Sequence, residues 1–456
     1  MTARRRRLAA LAAGAVAMST VTGCGAAAGW GGGGGGGGGD TINVLMVNNP
    51  QMVDLQKLTD KYFTKKTGIK VNYTVLPEDD LRDKASQEFS SQAGQYDVAT
   101  LSNFEIPIYA KSGWVAPLNS YLTKDPEFDQ QDILPSMRAA LSVTGKVYGE
   151  PFYGESSFLM YRKDVLAAKG IKMPGHPTWQ QVAKIAAKID NPNGMRGICL
   201  RGQPGWGQLF APLTTVVNTF GGTWFTKDWH AQVNAPAFKE ATNFYVNLVR
   251  KHGETGAAQA GFTECLNDLT QGSVAMWYDA TSAAGSLEAN GSPVKGKIGY
   301  APAPVVKTKN AGWLYSWAWS VESASSKKDA AWKFISWASG KGYAKEAAAK
   351  FGWSQVPSGF RSSLYAEPQY RKVASSFATP TLTAIRAADP NNPGVQPRPV
   401  PGIQFVDIPE FTNLGTEVSQ DISSAIAGKM SVDTALNKGQ QRAEDVAADY
   451  RRRAGK

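Results

Sequence analysis

Four short stretches of this chain gather residue types that can hold a small polar molecule: Asn48-Asn49, Ser102-Asn103-Phe104-Glu105, Arg201 to Trp206, and Tyr278-Asp279. A carboxylate such as Asp279 or Glu155 can accept hydrogen bonds from two neighbouring hydroxyls at once. Arg201 and Asn49 supply N–H donors to oxygens. The rings of Trp206 and Trp317 offer flat faces on which C–H groups pack. Trp206 stands between Gly205 and Gly207, a setting that suits a presented ring better than a core plug. The set therefore suits a small polar molecule. Two of its carboxylates, Glu155 and Asp279, also have the composition of a glycoside-hydrolase acid and nucleophile pair, so bond cleavage stands beside simple binding.

Other chemistries find little material. No G-x-S-x-G, no G-x-x-x-x-G-K-[ST] and no H-E-x-x-H occurs. The three histidines, His176, His230 and His252, are scattered near expected turns and helix ends. No cysteine spacing suggests zinc. The net charge is +11, but four of those charges are Arg4 to Arg7, and only the short Arg451-Arg452-Arg453 run repeats the pattern. A nucleic-acid binder would carry a basic stripe; here the charge is dispersed.

The elements that must position these residues follow from local pattern. Ile42 to Val47 reads as a buried strand, and Asn49-Pro50 as a helix start, with Gly68 ending that helix. Ile69 to Leu76 and Tyr96 to Asn103 read as further strands around a polar helix from Asp80 to Gln92. Thr178 to Gln181 has the form of a capping box, opening a helix with Trp179, Val182, Ile185 and Ile189 inward. Gly197 to Gly202 is expected as a strand, Pro236 to His252 as a helix, and Ser273 to Asp279 and Lys297 to Pro304 as strands. A helix is expected over Asp329 to Ser339 and two more at the C-terminus, broken at Gly428. This rhythm argues for an α/β protein with too many units for one lobe and no clean linker. Ligands in open α/β sheets bind beyond the carboxyl ends of strands, where the four stretches lie.

The N-terminus has the order of a secretory signal over residues 1–23: basic residues, an apolar run from Leu8 to Met18, then small residues. The run is too short to span a bilayer. Val21-Thr22-Gly23-Cys24 resembles a lipobox, which makes Cys24 the expected lipidation site, and Gly31 to Gly39 reads as a tether, so 24–39 would link anchor to body. An ordinary signal peptide with a chance cysteine is the alternative. Export implies an oxidising compartment. With Cys24 assigned to lipid, Cys199 and Cys265 remain and are expected to pair, although two buried free thiols would fit the same residues. Closing the 66-residue loop between them is worth roughly 4 kcal/mol in the chain-entropy model.

One longer block decides among these readings. Gly145 to Leu166, "GKVYGEPFYGESSFLMYRKDVL", resembles the crossover segment of extracellular solute-binding proteins of carbohydrate ABC importers. "RGQPGWGQLFAPLTTVVNTFGGTWF", "AMWYDAT", "GYAPAP", "WAWSV", "AAWKFISWAS" and "GIQFVDIPEF", in that order, resemble the sorbitol/mannitol-binding branch. The likeness runs over nearly all of the chain after the signal. It implies a two-lobed α/β clam of the periplasmic-binding-protein type II fold with hinge crossovers. Lobe 1 would comprise 40–154 and 320–364, and lobe 2 155–319 and 365–456. It further implies a non-enzyme without cofactor or metal, a monomer anchored on the outer face of the cell membrane. Its partners would be a sugar or polyol, two permease subunits and an ATPase.

On that frame Glu155, placed six residues before Tyr161, matches a sugar-contacting glutamate of maltose-binding proteins. Glu155 and Asp279 are expected as acceptors, Arg201 and Asn49 as donors, and Trp206 and Trp317 as rings. Tyr153, Asn103 and Glu410 are secondary candidates. Each has a structural alternative: Glu155 a hinge residue paired with Arg162, Asp279 a loop cap, Arg201 a brace at a strand end. Trp313, Trp317 and Trp319 share an alternating strand, one face of which must be core. Trp332 and Trp337 are read as packing. A carbohydrate receptor with no transport role would present the same cleft.

Overall fold

The computed structural model describes residues 40 to 455. The expected signal, Cys24 and the glycine tether lie outside them. Eight strands carry the architecture: β1 (Thr41–Val47), β2 (Lys70–Leu76), β3 (Val98–Ser102), β4 (Glu150–Glu155), β5 (Ser157–Arg162), β6 (Met276–Ala280), β7 (Ile298–Pro302) and β8 (Tyr315–Val321). They form two sheets, one in the order β2-β1-β3-β8-β4 and one in the order β6-β5-β7.

In the larger sheet β1 runs parallel to β2 and β3, and β8 runs antiparallel to β3 and β4. Val44 to Val47 of β1 and all of β3 are buried, which is why β1 reads as a continuous apolar run instead of an alternating one. Pro50 starts the helix after β1, and Gly68 ends the same helical stretch at φ 76°, the left-handed position that glycine takes without a Cβ clash. Thr178 and Gln181 make both hydrogen bonds of the capping box.

Glu155 closes β4 and Ser157 opens β5, so the chain passes from one sheet to the other within two residues. It returns between β7 and β8. The lobe boundary expected at 319/320 therefore falls inside β8, which pairs along its length in the five-stranded sheet; the return crossing precedes Tyr315.

Gly197 to Gly202 is not a strand. It runs between two neighbours and touches each at one residue, Ile198 against Gly253 and Cys199 against Trp277. Gly202 lies so close to a neighbouring backbone that a Cβ would stand 2.1 Å from the Ala257 carbonyl oxygen. Cys199 and Cys265 form the disulfide, with Cα atoms 5.5 Å apart, and tie this segment to the helix Phe262–Gln271. The helix Phe210–Phe220 buries all its residues. With no face exposed to solvent, and its polar residues Thr214, Thr215, Asn218 and Thr219 buried too, it lacks the charged stripe that marks a surface helix in a sequence. Among the described residues no helix is long and apolar enough to cross a membrane.

Candidate functional site

At the crossing of the two sheets lies a cavity lined by side chains from both sides of that crossing. Asn49, Glu78, Tyr153, Tyr315 and Trp317 line it from the side of the larger sheet. Arg201, Phe262, Ser282, Gln404 and Phe405 line it from the other side, and Glu155 stands at the crossing.

The larger-sheet wall is a cross-strand ladder. Trp317 pairs with Tyr153, and Tyr315 with Glu155, across the antiparallel β8–β4 contact. Directly opposed residues share a face of the sheet, so four side chains converge from two short strands. Tyr153 accepts a hydrogen bond from Asn49 Nδ2 at 2.8 Å. Ser282 Oγ donates to Glu155 Oε2 at 2.5 Å. Burial pushes the Glu155 carboxyl up to about 8, with the neighbouring Arg201 opposing the shift. Oε1 of Glu155 takes no hydrogen bond from the described residues.

Arg201 comes from the opposite side. Its Nε and Nη2 donate to the two oxygens of Asp279 at 2.8 and 2.7 Å, a bidentate pair buried from solvent. Nη1 donates to the Gly207 carbonyl and to Gln208 Oε1 at 3.3 and 3.2 Å. Of the five N–H donors on a guanidinium, one on Nη2 is left for the cavity. Asp279 is fully used: Trp277 Nε1 and the Ala280 N–H also donate to it. Burial alone would lower the Arg201 pKa, and the Asp279 carboxylate more than offsets it, so the guanidinium stays charged.

A second guanidinium stands behind the larger-sheet wall. Arg82 pairs with Glu78 at 2.7 Å and Glu105 at 3.2 Å and donates to Tyr315 Oη at 2.7 Å. Interlobe contacts surround it: Gln203 Nε2 donates to Asp79 at 3.2 Å, and Gln51 Nε2 donates to the Ser282 carbonyl at 3.2 Å. These hydrogen bonds span the two sides of the sheet crossing.

Residues 49–345 match the model of the bacterial extracellular solute-binding protein family. Over 406 residues the chain is 39% identical to the mannitol-binding protein of Pseudomonas aeruginosa, covering 88% of this chain and 92% of that one. The chain belongs to this family. The solute-binding protein is also 29% identical, over 66% of its length and 67% of the relative's, to an erythritol/L-threitol-binding protein of Mycolicibacterium smegmatis. A crystal structure of an ABC transporter solute-binding protein from Agrobacterium vitis with bound D-mannitol is 43% identical. It superposes with a TM-score of 0.88 over 90% of this chain and 99% of that one.

Of the residues singled out from sequence, Glu155, Arg201, Asn49, Tyr153 and Trp317 line the cavity of this solute-binding protein together. Asp279 stands one layer behind, with both oxygens spent on Arg201 and its neighbours. Trp206 is buried, not presented: its ring packs at 4.8 Å from Phe104 and 4.9 Å from Phe405 and covers Arg82, because the glycines beside it admit close neighbours and not solvent. Asn103 does not line the cavity; its side chain accepts from the Ser316 N–H and braces β8. Glu410 lies elsewhere, accepting from Tyr450 Oη at 2.8 Å. Arg162 is held by Asp164 and not by Glu155. Trp313 and Trp319 are fully buried, whereas Trp317 faces the cavity.

Glu78, Arg82, Tyr315 and Phe405 were not singled out. Tyr315 was legible in principle, since it lies two residues from Trp317 on an alternating strand. Arg82, four residues after Glu78, had an ion-pair signal. Nothing local marks Phe405.

Proposed function

We propose that this chain captures a linear sugar alcohol and delivers it to an ABC import permease with its ATPase. The observation that carries the proposal is the pairing of Glu155, with an unengaged carboxylate oxygen, and Arg201, with one unengaged N–H, in a closed cavity built from both lobes. Vicinal hydroxyls donating to Glu155 and a hydroxyl oxygen accepting from Arg201 satisfy both groups. Trp317 and Phe262 supply faces for the carbon chain, and the Asn49–Tyr153 pair supplies further polar contacts. The mannitol- and tetritol-binding relatives support a polyol over a ring sugar.

Ligand contact with both lobes favours the closed state, so binding energy drives closure. Hydrolysis by Glu155 with Asp279 has less support, since Asp279 is committed to Arg201. The lipobox-like Val21-Thr22-Gly23-Cys24 supports export as a lipoprotein held by Cys24 on the outer face of the membrane. Loss of fatty-acid labelling in Cys24→Ala tests that part.

Isothermal titration calorimetry with mannitol, sorbitol, ribitol, glucose, maltose and trehalose tests the main reading. Binding of a hexitol at micromolar or tighter Kd is expected, and no heat with any carbohydrate overturns it.

A further inference from the structure

We infer that Arg82 is a partition that sets the greatest length of ligand the cavity accepts, admitting six-carbon alditols and excluding disaccharide alcohols. The inference rests on the polyol-binding reading and adds a specificity-determining residue to it.

The guanidinium of Arg82 lies between two indoles, 4.9 Å from the ring centre of Trp317 and 4.1 Å from that of Trp206. Trp317 belongs to the wall of the cavity at the sheet crossing. Trp206 belongs to the wall of a second hollow, which Arg82 itself also lines. The ion pairs follow the same division: Glu78 lines the cavity and Glu105 the second hollow, and Arg82 joins them. The side chain thus separates two spaces that would otherwise be continuous.

The partition is stiff. The Arg82 side chain is 4% exposed, its charge is matched by two carboxylates, and Tyr315 Oη fixes Nη2 from a third direction. Burial would lower its pKa, but Tyr315, Glu78 and Glu105 raise it, so it stays a cation within the stack. A cation between two indole faces is held by both, most strongly where water is excluded.

The second hollow has the lining of a carbohydrate subsite without access to the first. Tyr109, Trp114 and Trp206 give it rings, and Asp83, Asn413 and Glu417 give it polar groups. It too lies between the lobes, since Arg82 and Phe104 come from the larger-sheet side and Thr412 and Glu417 from the other. A ligand with a second sugar ring would need both spaces, and the Arg82 stack stands between them. Trp206 and Arg82 come from opposite sides of the sheet crossing, so the stack is assembled across it.

The test is a calorimetric series on the full chain with erythritol, ribitol, mannitol and maltitol, repeated on Trp206→Ala and Arg82→Met. Wild-type protein is expected to bind mannitol best and maltitol at least 100-fold more weakly. Trp206→Ala, which leaves every residue lining the first cavity in place and removes one of the two indoles that hold Arg82, is expected to keep mannitol binding within about threefold and to bring maltitol within tenfold of it. Wild-type protein that binds maltitol as tightly as mannitol overturns the inference alone. So does a folded Trp206→Ala that keeps the 100-fold discrimination; if that variant does not fold, Arg82→Met carries the same comparison. Wild-type protein that binds no alditol overturns the polyol reading, and the partition with it.

Discussion

Gly207 lies against the guanidinium of Arg82, so close that a Cβ at 207 would stand 2.7 Å from both Nε and Nη2. The two residues come from opposite sides of the sheet crossing, and Arg82 cannot step aside because two carboxylates, a tyrosine and two indoles hold it. Gly207→Val should therefore prop the lobes apart without disturbing either one. Mannitol affinity is expected to fall roughly tenfold or more, about 1.4 kcal/mol or above, while the Tm of the ligand-free protein changes little. Titration calorimetry reads the first, and small-angle scattering should show a radius of gyration that no longer contracts on adding mannitol. Contraction of the variant equal to wild type would refute the steric account.

The disulfide is expected to behave as a structural bond. Both cysteines are fully buried, and the loop they close spans 66 residues. Cys199→Ala with Cys265→Ala should cost roughly 4 kcal/mol by loop-closure entropy, read as a lowered urea midpoint. Because no sulfur is exposed, reductant should leave the folded protein unreduced and act only as it unfolds. Rapid labelling of both thiols under native conditions with reductant would contradict this.

What was legible in the sequence was what is decided by neighbours along the chain. The Thr178–Gln181 capping box, the Asn49-Pro50 start and the apolar run of β1 depend on a few adjacent residues, and each sits where local chemistry places it. Glu155, Trp317 and Arg201 were legible as candidates, and they line one cavity. Their layers were not. Asp279 carries the same carboxylate as Glu155, and only the approach of Arg201, 78 residues earlier, takes it out of the cavity. Trp206 looked presented because its glycines leave room; the room is filled by Phe104 and Phe405, about 100 residues before it and 200 after it in the chain. Gly197 to Gly202 has strand composition, but its neighbours meet it at single residues and not as a ladder.

Asp279 should matter for stability first and for binding through Arg201. Breaking a buried, bidentate pair by removing one partner leaves an uncompensated charge, which costs on the order of 3–5 kcal/mol. Asp279→Ala is therefore expected to lower the Tm markedly. Asp279→Asn, which keeps the shape and one acceptor, should be milder and should weaken mannitol binding by at least tenfold where it remains folded. Catalytic loss is not the readout here; a variant with wild-type Tm and wild-type Kd would show that the pair does not hold Arg201 in place.

Stability should fall as the pH rises from about 4.5 to 8. Burial raises the carboxyls of Glu150, Glu155 and Glu254 to about 8 in each case, well above their values in an unfolded chain. Desolvation outweighs the neighbouring groups that favour the charged form, Arg361 and Gln130 for Glu150 and the backbone beside Glu254. Between the unfolded and folded values the native state holds more protons than the unfolded one, so the slope of unfolding free energy against pH is negative. The contribution of these groups is fully present below about 4.5 and is lost as the pH passes 8. Urea midpoints for the ligand-free protein at pH 5 and pH 8.5 check the sign, which a higher midpoint at 8.5 would reverse. Glu155 adds a linked effect on binding. Hydroxyls that donate to its carboxylate favour the ionised form and pull its pKa down. Binding at pH 7 should then release up to about one proton, seen as a heat of binding that depends on the ionisation enthalpy of the buffer. Glu155→Gln should abolish that dependence, and wild-type heats that are equal in phosphate and Tris would mean that Glu155 does not accept the ligand's hydroxyls as a carboxylate.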